Sequence, residues 1–218
     1  QGRFYPSCTG KCGPLLSFMM EGLDVEPNPL DMEFTRSEPS VLYEDTQLIV
    51  ADKPSGMLSV PGRTAAKSLL EWLQDRYGEV HSCHRLDMDT SGVLVFARDI
   101  RTKAAVEAQF AERLVRKTYR ARLTAGDTPF RHARKGTIAL PLITDWYDRP
   151  RQMVDYAKGK LAVTEYEVVQ ELPDGEIEIL LYPKTGRTHQ LRVHCAHPSG
   201  LGRPIRGDKL YGSPEHGR

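Results

Sequence analysis

The stretch HSCHRLDMDTSGVLVFARD, His81–Asp99, crowds His81, His84, Arg85, Asp87 and Asp89 directly before the apolar run GVLVFA. The run reads as a buried strand, and polar groups at its mouth must be solvated, paired or used. Asp99 follows as a helix N-cap, with a helix predicted over Ile100–Leu114. Upstream, TQLIVADKPSG reads as a short strand and a turn set by Pro54 and Gly56. TAAKSLLEWLQDRYG places Ala65, Leu69, Leu70, Leu73 and Tyr77 at helical spacing, with Gly78 as the stop.

Downstream, KTYRARL alternates, which puts Tyr119 and Ala121 on one strand face with Lys117 and Leu123 in line. AVTEYEVVQEL and EIEILLYP are strands joined by a PDGE hairpin signal. TGRTHQLRVHCAH reads as helical from about Thr188. Strands follow strands with three helices interspersed and no regular βαβα alternation. The predicted class is α+β, with a mixed, largely antiparallel sheet and flanking helices. Residues 1–40 are rich in turn formers, with one short helix predicted at Leu15–Leu23. They read as an appended N-terminal segment on a main domain spanning 41–218.

The chain has 218 residues, 39% hydrophobic and 27% charged, an ordinary balance for a globular protein. No apolar run approaches the roughly 18 residues of a membrane-spanning helix. The first residues lack a signal-peptide layout, so a cytoplasmic location is expected. Gln1 is not an initiator, and a start further upstream is expected. Four scattered cysteines do not make a disulfide scaffold. Cys8 and Cys12 share one segment, but no second cysteine pair completes a zinc site, and no metal is expected. Net charge is +1 overall, with 8 basic and 3 acidic residues within Arg98–Arg122. Such a local excess meets phosphates or makes a solvated helix face, and charge alone does not choose between them.

Three clusters carry candidate chemistry. Asp87 lies at a junction between loop and strand, where catalytic side chains are often presented, with His84 and Arg85 beside it. The second cluster, YPKTGRTHQLRVH, gathers Lys184, Arg187, His189, Gln190, Arg192 and His194 around a turn that opens a helix. Leu191, Val193 and Cys195 make that helix partly buried. A buried arginine there requires a carboxylate or phosphate partner, and Asp87 is one candidate. The third is Tyr119, flanked by Arg116, Lys117, Arg120 and Arg122, a setting that suits stacking on RNA bases.

These pieces, in this order, resemble the RluA-type pseudouridine synthases. HRLDMDTSG is similar to that family's first signature, KTYRARL to its second motif and KTGRTHQLRVH to its third. DKPSGMLSVPG, LPLITDWYDRPRQMV and GKLAVTEYEVV bring the chain close to the RluA branch, over about Val41 to Gly212. The resemblance implies a pseudouridine synthase fold with a central catalytic cleft, acting without a cofactor on structured RNA, a ribosomal or transfer RNA stem-loop, as a monomer. It implies Asp87 as the essential acid, Tyr119 against the target uracil and Arg192 paired with the acid. Arg85 is implied in the space left by the extruded nucleotide. His84, Lys184, Arg187, His189 and Gln190 are expected at the substrate, and Arg116, Lys117, Arg120 and Arg122 along the RNA backbone. Relatives continue past the GDKLYG-like motif into another strand, so the domain is expected to lack its C-terminal end at Arg218.

Two rival readings attach to the same residues. DMDT matches the DxDxT pattern of haloacid-dehalogenase-like, Mg-dependent phosphatases, but the residues before it, GEVHSCHRL, are too polar for the apolar parallel strand that motif follows. An RNA-binding domain without catalysis is the other, and retention of Asp87, Tyr119 and Arg192 argues against it.

Overall fold

The computed structural model describes residues 38–62 and 66–212. The appended segment up to residue 37, with Cys8, Cys12 and the short helix predicted at Leu15–Leu23, lies outside them. So do Ala65 and the last six residues. The chain divides into two compact units, Gln1–Val115 and Arg116–Arg218.

The first unit holds a four-stranded sheet of β1 (Ser40–Glu44), β2 (Leu48–Lys53), β3 (His81–Ser82) and β4 (Gly92–Ala97), in the order β1-β2-β4-β3. Every pairing is antiparallel. The apolar run that opened the sequence reading is β4, and Leu94 to Ala97 are all buried. Leu48, Cys83, Val95, Ala97 and Val106 form one core cluster, with Val50 and Phe110 packed on it.

Helix α1 (Leu69–Tyr77) begins later than Ala65 would suggest, because Ser68 caps it. The Ser68 hydroxyl accepts from the Glu71 N–H and the Glu71 carboxylate accepts from the Ser68 N–H, a reciprocal capping box. Gly78 ends the helix at φ 76°, a conformation that suits glycine. Helix α2 (Ile100–Ala111) starts where expected: Asp99 Oδ1 accepts from Arg101 and Thr102 N–H, both at 2.9 Å. It stops three residues short of Leu114, because the chain turns at Arg113 with φ 61°.

The second unit holds a five-stranded sheet: β5 (Tyr119–Leu123), β6 (Lys135–Thr144), β7 (Gln152–Val154), β8 (Lys160–Glu171) and β9 (Ile177–Pro183), in the order β5-β9-β8-β6-β7. Again every pairing is antiparallel. The hairpin expected at PDGE joins β8 to β9, with Gly175 at φ 81°. Helix α3 (Gln190–Ala196) buries Val193 and Cys195 in the cluster of Leu123, Leu140, Ala162, Ile179 and Leu181. It begins at Gln190 rather than Thr188 because His189 takes a left-handed φ of 52°. The α+β, largely antiparallel expectation holds, delivered as two sheets, one in each unit.

Candidate active site

In the first unit, Asp87 sits in the loop between β3 and β4, and the chain on both sides of it is pinned. Ser59 Oγ donates to the Leu86 carbonyl at 2.7 Å and accepts the Leu86 N–H at 3.0 Å. On the other side, the Met88 carbonyl accepts from Lys53 Nζ and from the Gly56 N–H, both at 2.9 Å. Ser55 Oγ donates to the Asp89 carbonyl at 2.8 Å, and the Thr90 N–H donates to the Asp87 carbonyl at 3.1 Å. Gly92, at φ 128°, then releases the chain into β4.

Lys53 is fully buried. Its ammonium also donates to the Pro54 and Met57 carbonyls, so its three donors meet three acceptors. Burial lowers its pKa to about 8, against the opposing pull of Asp89, Asp87 and Asp52. The sequence reading saw only a turn in DKPSG. The signal that could have exposed the clamp is a lysine at the buried end of an apolar strand.

Around Asp87, Arg85, Met88 and Asp89 are exposed and Asp87 is half-buried. His84 Nε2 accepts the Val95 N–H at 3.0 Å, and its ring lies 4.6 Å from that of Phe110, which fastens the loop to β4 and α2. The DMDT tetrapeptide is fed by the two-residue strand β3, antiparallel to β4. The phosphatase motif requires a parallel strand there.

In the second unit, Tyr119 opens β5 opposite Leu181 and packs half-buried on the sheet's core. Arg120 points the other way and pairs with Glu178, a carboxylate 1% exposed that also accepts from Gln170 at 2.6 Å. The Arg120 guanidinium neutralises a buried carboxylate across β5 and β9. Arg116 is exposed; Lys117 and Arg122 are half-buried. Lys117 stands beside the turn of the second cluster, its Nζ 3.8 Å from where a Cβ on Gly186 would lie, and burial lowers its pKa.

Gln190 is the first residue of α3. Its amide is buried, donating to the Val163 carbonyl and to Thr164 Oγ1 and accepting from Thr185 Oγ1 and the Arg187 N–H. Every bond the group can make is used inside the protein, so it fastens the turn to β8. Lys184 pairs with Glu165 at 2.7 Å, and Arg187 Nε donates to the Leu161 carbonyl at 3.3 Å. Arg192 is gripped by Asp208, and His189 Nδ1 meets the Tyr211 hydroxyl at 2.8 Å. Asp208 and Tyr211 were absent from the sequence reading, although GDKLYG contains both.

The chain is similar to known proteins in sequence and in fold. The family model described as RNA pseudouridylate synthase matches residues 47–197. The dual-specificity RNA pseudouridine synthase RluA of Escherichia coli K12 is 46% identical over 177 residues, 80% of this chain and 78% of the relative. RluA of Haemophilus influenzae is 41% identical over the same shares. Among solved structures, human RNA Pseudouridylate Synthase Domain Containing 1 superposes with a TM-score of 0.68 at 28% identity, covering 82% of this chain and 71% of that one. Human RNA Pseudouridylate Synthase Domain Containing 4 gives 0.63 at 28% identity, covering 81% and 70%. The phosphatase and RNA-binding-only readings draw no support from these matches. The chain belongs to the RNA pseudouridine synthases and is of the RluA type.

Proposed function

We propose that this synthase isomerises a uridine in a ribosomal or transfer RNA stem-loop, in the cytoplasm and as a monomer, with Asp87 as its essential carboxylate. The observation that carries the assignment is the clamp on Asp87: the peptide units on both sides of one half-exposed carboxylate are fixed by buried or backbone donors. Similarity to relatives named dual-specificity RNA pseudouridine synthase supports an RNA substrate.

The reaction breaks the bond between ribose C1′ and uracil N1, turns the base, and joins C1′ to C5; the C5 proton leaves and the freed N1 takes one up. Atoms and electrons balance without a redox partner. Charge develops on the sugar as the glycosidic bond opens, and a carboxylate stabilises that charge, attacks the sugar or removes a proton from it. In this reading Tyr119 lies against the flipped base and Arg192 is the third catalytic residue. The exposed Arg85 fills the gap in the RNA stack. Extruding the nucleotide costs a few kcal/mol, offset by phosphate contacts from Arg116, Lys117 and Arg187.

The test is release of tritium from uracil C5 of unmodified ribosomal and transfer RNA transcripts, without added metal. Asp87→Asn is expected to abolish release while RNA binding persists. Near-normal release by that variant removes Asp87 from its role.

A further inference from the structure

Arg192 is held from one side by a residue outside the three motifs. Asp208 Oδ2 accepts from Arg192 Nε at 2.7 Å, and Oδ1 accepts from Nη2 at 2.7 Å. Oδ1 also accepts the N–H groups of Leu210 at 2.9 Å and Tyr211 at 3.0 Å. The carboxylate is therefore fixed by its own turn before it meets the guanidinium. The two side chains are 12% and 3% exposed. Burial alone would push the Asp208 carboxyl up, but Arg192 and the two N–H groups hold it below its ordinary range.

The turn is anchored in its own right. The Tyr211 hydroxyl accepts the Gln152 N–H at 2.7 Å and is hydrogen-bonded to His189 Nδ1 at 2.8 Å. The Arg192 guanidinium lies over the Tyr211 ring, 5.2 Å from its centroid. Turn 208–211 thus joins β7 to the start of α3 and grips Arg192 through both a carboxylate and an aromatic face.

A guanidinium is a rigid planar fork, and fixing one edge sets the direction of the other. We propose that Asp208 is a positioning residue for the isomerisation: by occupying the Nε–Nη2 edge of Arg192 it fixes the direction in which the guanidinium presents its Nη1 side. The inference rests on the catalytic assignment of Arg192 made above. A purely architectural ion pair predicts a different result, a loss of stability with the turnover of the folded enzyme unchanged.

Kinetics of the full chain on 5-tritiated-uridine transcripts of ribosomal and transfer RNA distinguish the two. Asp208→Asn keeps the shape but loses the charge and one acceptor. Its kcat is expected to fall about 10- to 100-fold, the scale of a misplaced catalytic group, with KM within about twofold. In a double-mutant cycle with Arg192→Lys the two losses should not multiply, because one acts through the other. Losses that multiply, or an Asp208→Asn variant within about twofold of the parent kcat, overturn the inference. If Arg192→Lys alone keeps full turnover, the assignment of Arg192 fails first. Should Asp208→Asn not fold, Asp208→Glu carries the test. It keeps the charge but displaces it by one methylene, and a full kcat would overturn the proposal.

Discussion

His194 is completely buried on α3, and neither ring nitrogen has a hydrogen-bond partner. Burial, followed by the charge of His197, depresses its pKa to about 4 from 6.5. The neutral ring fits the core, and the protonated one does not. The unfolded chain binds this proton below about pH 6.5 while the folded chain resists it until about pH 4, so stability is lost as pH falls through that window. Between pH 7 and pH 5 the residue should cost the fold about 2 kcal/mol. His194→Leu is expected to flatten the pH dependence of chemical denaturation by that amount; an unchanged slope would show that the buried ring is not the titrating group. The sequence pattern had set His194 among the charged residues of the third motif, a grouping that spacing allows and burial reverses.

At the scale of elements, β5 presents Tyr119 from a strand whose register is fastened by Arg120 on Glu178. Arg120→Met leaves a buried carboxylate with Gln170 alone and should cost about 3 kcal/mol. Replacing both partners, as Arg120→Met with Glu178→Leu, should recover most of that in urea denaturation. A double variant as unstable as the single one would deny that an uncompensated charge is the cause. Strands β2, β4, β5, β8 and β9 and the helices were legible because their periodicities are strong: the apolar run of β4, the hairpin at PDGE and the Asp99 cap all stand where the residues put them, whereas β1, β3, β6 and β7 were not read as strands. Helix ends were less legible. The capping box at Ser68 and the left-handed His189 are local hydrogen-bond and backbone choices that override apolar spacing. The candidate acid, tyrosine and arginine were readable as motifs. Their supports were not, because Lys53, Ser59 and Asp208 act through contacts between segments far apart in the chain.

Across the whole molecule, net charge is only +1, so RNA binding depends on few cations rather than a broad field. With Arg116, Lys117 and Arg187 as the phosphate contacts, affinity should fall about 20- to 40-fold between 50 and 200 mM monovalent salt. Lys117→Met should reduce the slope of log affinity against log salt by about one contact. A slope unaffected by that change would place the phosphates elsewhere.

The grip on the Asp87 loop uses main-chain atoms at Leu86, Met88 and Asp89, while the side chains of Met88 and Asp89 point outward. What the loop displays is thereby uncoupled from where its acid stands. Positions 88 and 89 can trade size, polarity or sign to suit a different RNA without moving the carboxylate. A collection of variants at these two sites is a natural place to look for altered target choice at unaltered chemical rate.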